Sequence, residues 1–468
     1  YILIKMNVLS KLILFTVVCL ISCSKSDNTV LNDNQDPISN EDDVTSDNED
    51  DDNQDVSFTI YSDQDYPAIP ETEIPIEDQR FVGGENASDA NDGSQQAPWK
   101  TFDKALQELC ASSTWYCLNL VSDISVDAPI DTKFYGNGPG SSSQFAYIRS
   151  SPSLSSPVVL TINARVEIDG QENWLWYGFN MSGYEGINIG EDRKTNHHTI
   201  RNIKGTMTGT GGDNHGFFQA LNYNADYFGV FNCDFTGPGT VDNGVHGNTS
   251  VIIAFAIPHM RIENNRVTNA PRPIYFKHSN PSSIGTADIH VRYNYQPETS
   301  IGESCVFAGR AQGGIFEITD NIFGSTVEIS NGGGSEQPEG LFIAHNTFLK
   351  DLKLQNGNDP VINATLENNI ILGNLELLRY QSNTNTNTSD YELIAGKIYY
   401  QSQGYTVSEW QQNSVPGGQD MHSIAGLPTF VDNTMQPQSY KLDMGSLGIG
   451  KGRNGEDIGA RVQKVGNK

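Results

Sequence analysis

Between about residues 120 and 380, apolar and polar positions alternate in short runs, and each run stops at a turn rich in Asn or Gly. Alternation of period two over such spans predicts strands with one buried face. The runs also repeat. Val230-Phe-Asn-Cys233-Asp-Phe235, Ile262-Glu-Asn-Asn265-Arg-Val267, Ile318-Thr-Asp-Asn321-Ile-Phe323, Ile343-Ala-His-Asn346-Thr-Phe348 and Leu366-Glu-Asn-Asn369-Ile-Ile371 share one pattern, with Val291-Arg-Tyr-Asn294-Tyr-Gln296 as a looser copy. Their fourth positions, Cys233, Asn265, Asn294, Asn321, Asn346 and Asn369, are 32, 29, 27, 25 and 23 residues apart. A second set of runs falls between them: 251–255, 273–276, 304–307, 326–329 and 352–354. No helical period separates these strands, so βαβ units are excluded and stacking coil upon coil remains. An asparagine at one fixed turn position is expected to bond to its counterparts above and below. The prediction is an all-β chain forming a single-stranded right-handed parallel β-helix.

A solenoid needs covered ends, because a bare terminal coil is an aggregation edge. The Gly/Asn-rich run 83–94 and the amphipathic stretch Ala97-Pro98-Trp99-Lys100-Thr101-Phe102-Asp103-Lys104-Ala105-Leu106 predict an N-terminal capping helix. The run resembles the opening cap of bacterial pectate-lyase-like β-helix proteins. Asp420-Met-His-Ser423, Pro428-Thr-Phe430, 445–450 and Asp457-Ile458-Gly459-Ala460 resemble that family's closing segment. The resemblance covers residues 80–468 and implies fold rather than chemistry.

Ahead of that domain, Met6 reads as the start, and Lys11 precedes the apolar run 12–21, too short for a membrane span but suited to a signal-peptide core. It ends in Leu20-Ile21-Ser22-Cys23, which resembles the lipobox of bacterial lipoproteins. That resemblance implies a lipidated Cys23, export, and an outer-membrane anchor at the cell surface. Residues 24–56 hold 12 acids and one lysine, and 57–79 add six acids and three prolines. The expectation is therefore a signal peptide over 1–23, a disordered acidic tether over 24–79, and the β-helix over 80–468. Much of the net charge of −28 sits in the tether, leaving about −13 for the folded part. Such a balance argues against nucleic acid as a partner. Only 18 % of residues are charged, and the polar character comes chiefly from Asn, Ser, Thr and Gly. Cys110 and Cys117 could close a short disulfide loop, Cys233 and Cys305 are expected to be buried, and no cysteine spacing suggests zinc.

Coils around residues 233–294 exceed a minimal coil, so the extra residues must form loops, where binding and catalysis concentrate. Asp213, His215, His246, Arg272, Lys277, His278 and Arg310 cluster there. Ile274-Tyr275-Phe276-Lys277-His278-Ser279-Asn280, with Val291-Arg292-Tyr293-Asn294-Tyr295 and Arg310, resembles the chondroitinase B and alginate lyase family. There a lysine and an arginine on adjacent coils carry β-elimination. The resemblance implies Lys277 as base and Arg310 as its cationic partner; the clustering of titratable groups adds His246 and His278 as further catalytic candidates, and Arg272, Tyr275, Asp213 and His215 as candidate substrate contacts. It also implies an acidic, uronic-acid-containing polysaccharide as partner, and calcium as the candidate cofactor. This chain departs from the pattern where acidic calcium ligands would precede the lysine, since it has Ala270-Pro271-Arg272-Pro273. Val166-Glu-Ile-Asp169-Gly170-Gln, Asp213, His246-Gly247 and Lys277 are also similar to polygalacturonase-like hydrolases, which leaves hydrolysis as an alternative. A third is glycan binding or adhesion without catalysis. A monomer is expected.

Overall fold

The structure is a computed structural model. It describes residues 65–141, 144–208, 216–221, 224–239, 250–270, 272–277, 287–297, 305–308, 314–330, 340–356, 359–360, 363–378, 387–412 and 420–466. Residues 1–64, with Cys23 and the apolar run, lie outside the described residues.

The described part is a right-handed parallel β-helix. Three sheets of twelve strands each run along it. A coil such as Ala146–Ser150, Val159–Ile162, Val166–Ile168 places one strand in each sheet, here named A, B and C, before the chain returns to A one rung further on. Parallel neighbours joined this way close with right-handed crossovers. Every inter-coil pairing is parallel until a hairpin, Ile398–Tyr400 with Gln403–Tyr405, ends sheet C.

Alternation decides what the sheets bury. On sheet A, Ile148, Trp176, Ile200, Val230, Ile262, Val291, Ile318, Ile343 and Leu366 share one register. All are buried and form a column of stacked side chains along the axis. The predicted asparagine ladder stands at the turn from A to B. Asn265, Asn294 and Asn321 each donate from Nδ2 to Oδ1 of the next asparagine at 2.9–3.0 Å, and Asn346 does so to Asn369. Each also bonds to backbone carbonyls such as Val230, Ile262 and Val291, satisfying turn groups sealed from water. The residue before each rung is left-handed: Asn232, Asn264, Tyr293, Asp320, His345 and Asn368 have φ between 54° and 60°. Asparagine and aspartate tolerate that conformation; Tyr293 and His345 hold it because the ladder on both sides fixes the turn. His345 is thus a turn residue, as its sequence position implies.

The helix α1, Phe102–Ala111, covers the first coil with Phe102, Ala105, Leu106, Leu109 and Cys110. Thr101 caps it by accepting the Lys104 amide. At the far end the ladder stops on the buried carboxylate of Glu392, and Trp410 of the helix Val407–Gln412 closes the core. The tail then runs back along the coils, where Arg461 pairs with Asp320 and the Gly466 amide donates to Tyr293. Cys110, Cys117, Cys233 and Cys305 are buried thiols, so the short disulfide loop does not form. Burial pushes the thiols of Cys110, Cys117 and Cys305 up to about 12.

The start of the folded part needs correction. Residues 65–79, read from composition as the end of a disordered tether, lie as a strap on the outer face of sheet A. Tyr66 and Ile74 are buried, Arg201 donates to the carbonyls of Pro67 and Tyr66, and Arg149 pairs with Glu73. Composition misleads here because a few apolar contacts and two arginines suffice to dock an otherwise polar strand.

Candidate functional site

On sheet C the strand Arg272–Lys277 lies between Ser250–Phe255 and Cys305–Ala308. Its register sets Ile253 beside Tyr275 and Phe255 beside Lys277 on one side, and Tyr275 beside Val306 and Phe276 beside Phe307 on the other. Ile274 and Phe276 join the core, while Tyr275 packs on the outer face with Ile253 and Phe255. One residue past the Phe276–Phe307 pair, Lys277 is level with Ala308, two residues before Arg310. Lys277 thus ends its strand, whereas Arg310, His246, His278, Asp213 and His215 lie outside the described residues.

Two of the expected substrate contacts are described. The Arg272 guanidinium carbon stands 4.9 Å over the Tyr275 ring, and Phe255 meets that ring edge-on at 6.3 Å. Tyr275 is 9 % exposed, so its ring is a packed part of the wall and not an open platform for a sugar face. Arg272 remains partly exposed beside it. Among the described residues just before Lys277, the guanidinium of Arg272 stands where carboxylate ligands for calcium would be needed. Among the described residues, the carboxylates grouped closely enough to share a cation are Asp131, Glu167 and Asp169, four coils earlier on the same sheet.

A second concentration of titratable groups, which sequence reasoning missed, lies on the outer face of sheet A, next to the strap end at Tyr66. His259, Asp288, His290, Arg261, Arg292 and Glu317 occupy outward positions of three adjacent strands. His290 is held between Asp288 at 2.7 Å and Glu317 at 2.9 Å, and all three are buried. Burial alone would lower the His290 pKa; its bonds to Asp288 and Glu317 outweigh that and raise it. Burial would raise Glu317, yet His290 and Arg292 hold it below the usual carboxylate value. His259 is likewise raised, because its bond to Asp226 overcomes burial. Tyr66 lies at the strap end of this group, with the Arg261 guanidinium 5.0 Å over its ring. The alternating sequence Asp288-Ile-His-Val-Arg292 carried the signal, but alternation alone reads as a solvated face. Beside it, a groove of about 570 Å³ is lined by Arg201, Phe231, Arg261, Glu263, Tyr293 and Lys464.

No protein-family model matches the chain, and no curated protein matches it. Solved structures do. The chain is similar to the GH136 lacto-N-biosidase of Eubacterium ramulus at 11 % identity, covering 69 % of this chain and 66 % of that one, with a TM-score of 0.34. It therefore spans just under two thirds of that enzyme. A PL6 family polysaccharide lyase from Pseudopedobacter saltans aligns at 12 % identity over 78 % of this chain and 97 % of its own, with a TM-score of 0.35. The tailspike of E. coli bacteriophage HK620, solved with a pentasaccharide, aligns at 12 % identity over 68 % and 65 %, with a TM-score of 0.28. At such identities activity does not transfer from fold to fold.

Proposed function

We propose that this chain is a carbohydrate-active β-helix protein that cleaves an acidic polysaccharide by β-elimination on the outer face of sheet C. One observation supports this above the others: the register sets Lys277 at the end of its strand, and Arg310 follows two residues after the position level with it on the next coil. Coils stack about 4.8 Å apart, so two cations so placed can address one sugar residue. The C5 proton of a uronic acid becomes removable once its carboxylate is neutralised. Lys277, acting as the free amine, takes that proton. The C4–O bond breaks, its electron pair leaving with the oxygen, a C4=C5 double bond forms, and the departing oxygen takes a proton from water. Arg310 stabilises the charge that develops on the carboxylate, and Arg272 supplies a further cation. His246, His278, Asp213 and His215 line the same stretch of sequence and are proposed to contact the chain. The protein acts on the cell surface as a monomer, tethered through lipidated Cys23.

The test is a panel of alginate, pectate, chondroitin and ulvan, assayed with and without chelator. Ultraviolet absorbance from unsaturated sugar ends supports elimination. New reducing ends without that absorbance replace it by hydrolysis, and tight binding without product replaces it by adhesion.

A further inference from the structure

Sheet C opens with a carboxylate cluster that elimination does not use. Asp131 and Glu167 are paired across adjacent coils, and Asp169 follows two residues on. One carboxylate oxygen from each lies within 4.8 Å of the others. Two cations reach into this neighbourhood. Lys133 Nζ stands 2.8 Å from Asp131 and 2.9 Å from Asp192, and Arg165 pairs with Glu167 at 2.9 Å and with Glu191. Asp169 receives neither. Its side chain is fully buried, and its Oδ1 accepts the amides of Asp192 at 3.0 Å and Arg193 at 3.2 Å. Its Oδ2 is buried with no hydrogen-bond partner. A carboxylate oxygen left bare in this way is costly unless something positive meets it.

We infer that Asp131, Glu167 and Asp169 hold a hard divalent cation, calcium before magnesium. The donors are all carboxylate oxygens, drawn from two adjacent coils, the hard ligand set that calcium and magnesium take. No thiol or imidazole belongs to the group, so zinc and copper are disfavoured. The ion ties the strand Ile130–Asp131 to Val166–Ile168. Through the Asp169 bonds to two amides, it also ties both to the turn after Ile187–Ile189. Lys133 competes for the same negative charge.

The full chain, freed of metal by dialysis against EDTA, is titrated with calcium chloride and separately with magnesium chloride by calorimetry. Residues 24–56 carry 12 carboxylates of their own, so the site is read as the difference between wild type and Asp169→Asn, which keeps an oxygen for the two amides. The expected result is calcium binding that weakens at least ~10-fold in Asp169→Asn and in Glu167→Gln. Calcium should also raise the melting temperature of the wild type but not of Asp169→Asn. Lys133→Met, which removes the competing ammonium, should bind calcium more tightly than wild type. Identical isotherms for wild type and Asp169→Asn, or a wild-type melting temperature indifferent to calcium, would overturn the inference and leave Asp169 as a buried acid that keeps its proton.

Discussion

Replacing Tyr66 by phenylalanine and by alanine should move the strap's stability in opposite directions. Tyr66 is 4 % exposed, and its ring meets Phe231 at 5.9 Å, Tyr227 at 6.2 Å and the Arg261 guanidinium at 5.0 Å. Gly229 makes room for it: a Cβ there would lie 2.8 Å from Tyr66 Cδ1. The hydroxyl, however, is buried without a hydrogen-bond partner. Tyr66→Phe keeps every ring contact and removes the unsatisfied group, a gain of about 1 kcal/mol. Tyr66→Ala empties the socket and costs about 3 kcal/mol, in the usual range for an aromatic truncated in a packed site. Because the strap is an edge element, the loss should appear as local opening rather than global unfolding. Hydrogen exchange of the backbone over residues 66–74 is the assay. The expected outcome is slower exchange in Tyr66→Phe and exchange roughly 100-fold faster in Tyr66→Ala, 3 kcal/mol being about two decades. Faster exchange in Tyr66→Phe would refute the reasoning, since the hydroxyl would then be holding something.

Two further predictions concern the solenoid. Asn321→Leu removes an amide that donates to Val291, Thr319 and Asn346 and accepts from Asn294 twice, leaving buried groups unpaired. It should cost about 3–5 kcal/mol in urea denaturation, and a loss under 1 kcal/mol would mean that the ladder is dispensable. The second concerns pH. Glu317 has a folded pKa below its ordinary 4.5, so its contribution is fully present above 4.5 and is lost as pH falls through the lowered value. His290 has a folded pKa above 6.5, so its contribution is fully present below 6.5 and is lost as pH rises through the raised value. The pair therefore stabilises most between about pH 4.5 and 6.5, and Glu317→Gln should lose most, relative to wild type, inside that window. A stability difference that is flat with pH would contradict this.

The coil, the asparagine ladder and the capping helix were legible because each repeats or is local: the rung Asn265–Asn294–Asn321–Asn346–Asn369 is one signal written five times. The strap was not. Its docking depends on Gly229 leaving a socket for a tyrosine some 160 residues away, and no local pattern marks that. Asp288, His290 and Glu317 escaped notice for a related reason: their alternation reads as a wet surface, and their burial and mutual bonds appear only in the fold. At the candidate site, the pairing of Lys277 with Phe255 follows from the repeat, but the burial of Tyr275 against Arg272 does not. It depends on packing across neighbouring coils. Asp169 stood in the sequence as part of a hydrolase-like motif. Its bare oxygen emerges only when Asp131 is folded beside it.

Elimination by Lys277 is the claim on which the functional reading rests. Wild type and Lys277→Ala, with matched melting curves, should be compared on the best substrate of the polysaccharide panel by ultraviolet absorbance of the unsaturated product. The account predicts a loss of about 10²–10⁴-fold in the variant, the usual contribution of a positioned base. Undiminished activity in Lys277→Ala, or cleavage that never generates the unsaturated chromophore in wild type, would contradict it.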